Sequence, residues 1–308
     1  MRSSISRRRV AIVAPLQDEL AAVLEAFGAP VERINDSPFP QYRGELCFPS
    51  GELIETLIFS QSSLGRAHAS SLVTFILLTF EVDIIVVVGL CGALRRVDPG
   101  TGRTVSLGDV IFADMIIDGE IRKYAGGRIV MKNEAWEVNY GLKKIARQLQ
   151  SKIDSGCFFS SDNRTNELIA STKMSSHCGP LVSLGSVVAD SAISNEISTL
   201  VARNFSAPIA VEMEGAGVLT AASIFKASER VMMIRAVNDF ANEAKSNMAR
   251  ADACRNAAYV SLEFVRCYYG LTGSQQRNGG LSTSMKKWAG AGILLLLVFV
   301  GIAYWLKP

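Results

Sequence analysis

Carboxylates stand where two strand-like runs end. Ile209-Ala-Val211 leads directly into Glu212 and Glu214, with Met213 between them, and Gly215-Ala-Gly217 opens a stretch of small residues that reads as a helix to Phe225. Arg230–Val237 reads as a second strand, closed by Asn238 and Asp239. Each pattern delivers acids at a strand's carboxyl end, where open α/β sheets bind ligands. Met213 beside Glu214 offers an apolar surface next to a carboxylate that can grip a diol. Plainer uses exist for the same residues. Glu214 could sit on a helix N-terminus because the dipole favours it, Asp239 could be a turn or N-cap residue, and Met213 could be core. Glu19 follows the apolar run Val10–Ala14 and falls in the first turn of a predicted helix, where an exposed acid is ordinary.

The elements that must position these residues read as an alternation. Val10–Ala14 is continuously apolar, the pattern of a strand buried on both faces. Gln17–Phe27 has apolar residues at 20, 23, 24 and 27, one helical face, with acids in its first turn. Strands are expected over 41–47 and 53–61, and a helix over 65–80. Asp83–Gly89 is the clearest buried parallel strand, and Leu90–Ala93 turns tightly after it. A strand starts in 108–112 and a helix spans 133–152. Further strands are expected over 181–189, 207–212 and 230–237, with a helix after each of the last two and a final long helix over 247–269. This predicts an α/β fold with a mostly parallel twisted central sheet and helices on both faces.

Taken together, Val211-Glu-Met-Glu214 and Ile234-Arg-Ala-Val-Asn-Asp239 resemble the nucleoside phosphorylase and nucleosidase superfamily, and within it the methylthioadenosine/S-adenosylhomocysteine nucleosidases. The resemblance covers roughly residues 10–265. Val10–Leu20 is similar to the family's opening strand and acidic helix start. Ser62-Ser-Leu-Gly-Arg66 takes the place of Ser-Gly-x-Gly-Lys, with Ser63 for the usual glycine. Val88-Gly-Leu-Cys-Gly-Ala-Leu94 is similar to the glycine-rich turn, and Leu107-Gly-Asp-Val110 to Val-Gly-Asp-Ile.

That resemblance implies cleavage of a purine N-glycosidic bond, which builds positive charge on the ribose and negative charge on the departing base. Asp239 would protonate purine N7 as a general acid, with Asn238 holding its side chain. Glu214 would accept the ribose 2′- and 3′-hydroxyls, Met213 would pack on the sugar, and Glu19 would position or deprotonate the attacking water. Glu212 and the turn residues Gly89, Cys91 and Gly92 complete the expected binding site. Val188 stands where these nucleosidases present a base-stacking phenylalanine, and Ser186 where they have an acid. Adenine is the expected base, in a re-shaped pocket. No cofactor is implied, and a homodimer or higher homo-oligomer is the expected assembly.

The nucleophile is the main fork. A phosphate dianion needs arginine and hydroxyl or amide donors converging on it. Phosphorylases of the superfamily carry such residues after the first strand and around the glycine turn, where this chain has Gln17-Asp18-Glu19, Val87 and Leu90. Hydrolysis is therefore expected over phosphorolysis, with a weakly catalytic nucleotide-sensing or membrane-perturbing module as the reading of another class. Arg66, Arg95, Arg96 and Arg103 gather around the two glycine turns, where they would hold a 5′-substituent or form a solvated face.

Composition bounds the rest. The 308 residues are 49% apolar, enough for a sizeable core, and a net charge of +3 points to no nucleic acid. Six widely spaced cysteines and two histidines, His68 and His177, leave no metal-ligand spacing. Trp288–Leu306 contains no charge, has aromatics at both ends and follows Lys286-Lys287. It reads as a single transmembrane helix. The expected organisation is a catalytic domain over 1–270, a flexible linker over 271–287 and the membrane helix over 288–306. The chain would be tail-anchored with its domain facing the cytoplasm, compatible with an antiviral or cell-suicide effector of this superfamily.

Overall fold

The computed structural model describes residues 8–278, apart from 49–50, 62, 121, 127, 132–133, 156–173 and 245–247. The expected membrane helix over 288–306 lies outside the described residues. Among those described, no helix is long and apolar enough to cross a membrane.

In chain order the strands are β1 (Arg9–Val13), β2 (Glu32–Ile34), β3 (Gln41–Cys47), β4 (Leu53–Phe59), β5 (Ile84–Ala93), β6 (Val110–Asp118), β7 (Arg122–Ala125), β8 (Arg128–Met131), β9 (Ala135–Glu137), β10 (Ser176–Ser183), β11 (Ala210–Glu212) and β12 (Val231–Asp239). The helices are α1 (Gln17–Phe27), α2 (Arg66–Thr79), α3 (Tyr140–Asp154), α4 (Ser191–Ala202), α5 (Gly215–Ile224) and α6 (Arg250–Asn278).

β1 lies between β4 and β5, parallel to both, with Val10–Val13 fully covered. Burial on both faces is why this strand shows no polar alternation. β5 continues the parallel set to β12. Beyond β12 the direction changes. β6 runs antiparallel to β12 but parallel to β10, which is parallel to β11. β2 and β3 are antiparallel additions outside β4, and β9 pairs antiparallel with β6. The sheet is thus mixed where a mostly parallel one was expected, because β12 and β6 meet antiparallel within its centre as well as β2, β3 and β9 at its margins. β5 outruns its parallel neighbours, and its last residues Gly92 and Ala93 pair antiparallel with β11. That bend gathers the ends of β5, β11 and β12 in one place.

Helices seal this sheet. α1 buries Leu20, Val23 and Phe27, and stops at Gly28, whose left-handed φ of 64° suits glycine. α2 and α5 approach so closely that a Cβ on Gly217 would lie 2.1 Å from the Arg66 carbonyl oxygen. Small residues throughout α5 are therefore a packing requirement.

Several boundaries differ from the sequence expectation. The helix expected over 133–152 starts only at Tyr140, since Ala135–Glu137 pairs with β6. β10 ends at Ser183, and the chain expected as strand to 189 instead turns out of the sheet. α4 was not expected; Asp190 caps it, accepting from the Ile193 amide at 3.0 Å. The chain divides after Tyr268: the first unit carries everything above except the end of α6. The second is described only as that helix end, which runs to Asn278 over the start of the expected linker.

Candidate active site

The three strand ends surround a cavity of about 140 Å³ that opens to solvent. Its wall includes Glu19, Cys91, Gly92, Val188, Glu212, Met213, Glu214, Asn238 and Asp239. Of the expected site residues only Gly89 is absent from the wall. Its place is behind it. A Cβ there would lie 2.3 Å from Arg235 Nη1 and 2.7 Å from Glu19 Oε1, so the missing side chain is the space those two groups occupy. Gly92 serves Asp239 likewise: a Cβ would stand 2.9 Å from Asp239 Oδ1 and 3.2 Å from Ala241 Cβ. The two glycines of the turn admit the two candidate catalytic carboxylates.

Glu19 is 4% exposed. It reaches back over the first turn of α1, where Oε2 accepts from the Leu16 amide at 2.8 Å, half of a capping box. Oε1 accepts from the Leu90 amide at 2.9 Å, across the glycine turn. Burial pushes its carboxyl up to about 7, against the pull of Arg235 and with help from the charge of Glu214. A carboxyl poised there can take a proton from water near neutral pH.

Arg235, fully buried on β12, joins the acids. Its Nη2 donates to Glu212 Oε2 at 2.7 Å and to Glu214 Oε2 at 3.0 Å. Burial opposes its charge, but the carboxylates of Glu212, Glu214 and Glu19 hold it as the cation. One guanidinium thus serves three buried carboxylates, leaving the cavity rich in negative potential. Glu214 also accepts weakly from the Gly65 amide at 3.3 Å, and burial raises its carboxyl. Glu212, expected as a ligand, lines the cavity and also serves the protein's own donors. Both its oxygens accept from the Gly215 amide, at 3.0 Å each, and Oε2 also accepts from the Glu214 amide at 2.9 Å. It therefore pins the start of α5 and fixes Arg235.

Asp239 is 5% exposed. Its Oδ1 accepts from the Ala241 amide at 2.9 Å and its Oδ2 from Asn238 Nδ2 at 3.1 Å, which bears out the expectation that Asn238 holds it. Ala241 adopts φ 50°, an uncommon conformation for alanine that turns its amide onto the acid. Cys91, on the cavity wall, donates to the Ala236 carbonyl, and burial pushes its thiol up.

The four arginines that would hold a 5′-substituent or form a solvated face are absent from this cavity wall. Arg66 pairs with Asp118 at 2.8 Å, Arg103 pairs with Asp154, Arg95 donates to the Pro208 carbonyl at 3.2 Å, and Arg96 lies over the Phe240 ring. Arg250 takes their place on the wall, at the start of α6, paired with Asp18. Sequence reasoning gave no part to Arg250 or Arg235. Arg235 carried a signal: an arginine inside an apolar strand must find buried acids. Among the described residues no group of His, Cys, Asp and Glu is arranged to hold a metal ion.

Fold and site together define the class. Residues 9–266 match the Phosphorylase superfamily, and the chain belongs to it. A "Death domain-containing ATP nucleosidase" of Amphimedon queenslandica is 29% identical over 208 residues, which are 65% of this chain and 37% of that relative, so the match spans well under half of its length. Among solved structures, the 5′-methylthioadenosine/S-adenosylhomocysteine nucleosidase of Neisseria meningitidis superposes with TM-score 0.61 at 21% identity, over 84% of this chain and 99% of that one. The futalosine hydrolase of Helicobacter pylori gives 0.60 at 19% identity, over 86% and 98%.

Proposed function

We propose that this chain is a nucleosidase, hydrolysing the N-glycosidic bond of a purine nucleoside or nucleotide to release the free base. The observation that carries the reading is the bond from the Leu90 amide to Glu19 Oε1 at 2.9 Å. A phosphate nucleophile would want such backbone donors in the turn free to bind it. Here a carboxylate has taken one, and that carboxylate titrates near neutrality. Arg235 is committed to Glu212 and Glu214. The site is built to polarise water and to repel a second anion beside it.

In this mechanism Glu214 accepts the ribose hydroxyls through lone pairs its two protein donors leave unused. As the bond to the base stretches, positive charge on the sugar meets the buried carboxylates, a preorganised stabilisation that strengthens toward the transition state. Asp239 delivers a proton to N7 of the leaving base. Glu19 takes a proton from the attacking water. Regenerating the starting protonation states requires one proton to pass from Glu19 back to Asp239, by way of solvent. Met213 supplies the apolar face beside the sugar. Arg250 at the mouth favours a 5′-phosphorylated substrate, because phosphate can compete with Asp18 for the guanidinium. The "ATP nucleosidase" relative also supports that form. A homo-oligomeric assembly, membrane anchoring through residues 288–306 and an effector role remain parts of the proposal that rest on sequence and resemblance.

The test is a chromatographic screen of the full-length chain on nucleosides and nucleotides, with and without inorganic phosphate. Free base and free sugar in both conditions are expected. A phosphate requirement with formation of a sugar 1-phosphate would replace the reading with phosphorolysis, and no base release from any substrate would leave the non-catalytic module.

A further inference from the structure

Arg95 and Arg96, absent from the active-site wall, line a second cavity of about 150 Å³. Its wall is drawn from the residues that follow the active-site ones: Ala93 and Leu94 after Gly92, Phe240 and Asn242 after Asp239. Arg95 Nε donates to the Pro208 carbonyl at 3.2 Å, which orients the guanidinium and leaves its two Nη groups to bond elsewhere. Arg96 lies on the Phe240 ring, its Cζ 3.3 Å from the centroid. Stacking fixes the guanidinium plane while its N–H groups, which lie in that plane, point outward. Asn242 Oδ1 accepts from the Ala244 amide at 3.1 Å, so Nδ2 is the end left to donate. Ser194, 5% exposed, adds a hydroxyl to the same wall.

No carboxylate lines this cavity. Glu243 follows Asn242 in the chain, but its oxygens are taken by Ser191, from the amide at 2.9 Å and the hydroxyl at 2.6 Å. Among the described residues neither Arg95 nor Arg96 is ion-paired, whereas Arg66, Arg103, Arg235 and Arg250 all are. Two like charges gathered on one cavity repel, and an oxyanion between them relieves that repulsion. We propose that this second cavity binds a phosphate group, free or carried on a small ester, between Arg95 and Arg96, with Asn242 and Ser194 completing the donors. A guanidinium fork meets two oxygens at once, so two forks suit a tetrahedral dianion better than a singly charged carboxylate. The site is distinct from that of the nucleophile and does not depend on the nucleosidase reading. Phe240 and Asn242 flank Ala241, whose amide holds Asp239 at 2.9 Å, so the anion rests against the support of the acid and not against the substrate.

Calorimetric titration of inorganic phosphate and of glycerol 3-phosphate into the full-length chain, in sulfate-free buffer of low ionic strength, tests this. Neither probe carries a base or a ribose. Saturable binding is expected, of inorganic phosphate alone if the site takes the free anion and of the ester as well if it takes a phosphorylated molecule. Arg96→Ala changes an exposed residue and should weaken that binding by about ten- to a hundredfold, the worth of hydrogen bonds to a charged group. Arg96→Lys should restore only part of it, because an ammonium keeps the charge without the fork. Glu214→Gln, altered in the other cavity, should bind phosphate as the wild type does. An affinity untouched by Arg96→Ala but raised in Glu214→Gln would put the anion beside that carboxylate, in the active site, and overturn the proposal. Absence of saturable binding of either probe would overturn it as well.

Discussion

Replacing Glu19 by glutamine should change how stability depends on pH, in a way that isolates the buried carboxyl. Burial raises the Glu19 pKa from an ordinary 4.5 to about 7. At about 1.4 kcal/mol per pKa unit, this corresponds to about 3 kcal/mol. The folded chain keeps a proton that the unfolded chain releases between those two values. Wild-type stability therefore includes this contribution in full below pH 4.5 and loses it as pH rises through 7. Glutamine cannot ionise, so the variant lacks that fall. It has a different, pH-independent defect. The Glu19 oxygens accept from both Leu16 and Leu90 amides, at 2.8 and 2.9 Å, and an amide side chain can satisfy only one of them. One donor left facing an NH₂ costs about 1–3 kcal/mol. The variant should thus be the less stable protein at pH 5, and the gap should close, by up to about 3 kcal/mol, on the way to pH 8. Urea denaturation of the full-length chain and of Glu19→Gln, followed by circular dichroism at half-unit pH steps, measures the gap directly. A gap that stays constant from pH 5 to 8 would refute the assignment of a proton to Glu19. The same titration should govern turnover: activity rises through pH 7 as Glu19 becomes a base, and the rising limb is missing from the variant.

Asp239→Asn should keep the shape of the acid but remove its proton, lowering kcat by about 10²- to 10⁴-fold with ligand affinity nearly intact; titration calorimetry beside kinetics checks the split. Glu214→Gln should weaken both affinity and kcat, since its carboxylate meets the sugar before and during bond cleavage, and the same two measurements distinguish it from Asp239→Asn. His177 lies buried between Asp98 and Asp109, at 3.1 and 3.2 Å; burial opposes its charge, but the two carboxylates raise its pKa. His177→Leu should cost about 3–5 kcal/mol below pH 6.5 by stranding two buried acids, and the deficit in urea denaturation should shrink at higher pH, where the wild-type imidazolium is lost. Gly89→Ala puts a methyl group 2.3 Å from Arg235 Nη1 and 2.7 Å from Glu19 Oε1, and should abolish turnover while costing about 1–3 kcal/mol of stability; an active, equally stable variant would show that neither group depends on that space.

What the sequence made legible is what short-range pattern encodes. Val10–Ala14 and Asp83–Gly89 announced the parallel centre because strands buried on both faces have no polar alternation, and α1 was read to the residue because its apolar positions 20, 23, 24 and 27 make one helical face. The candidate site residues were legible by position, as acids at strand ends. Their division of labour was not, because it depends on long-range geometry. Glu212 and Glu214 look equivalent in sequence, two acids flanking one methionine. They part only because Arg235, 21 residues beyond Glu214, meets both while the Gly215 amide takes Glu212 alone. The glycine turn was legible as a glycine turn, but not as two vacancies, one filled by Glu19 with Arg235 and the other by Asp239 with Ala241. Hydrolysis was inferred from the side chains missing at Val87 and Leu90. The stronger reason is a backbone group, the Leu90 amide, which no residue type advertises. On the proposed reading, with that donor given to Glu19, strands that could cradle a phosphate would instead hold a base beside water. The choice of nucleophile in this chain would then turn on which partner one amide of the turn is given.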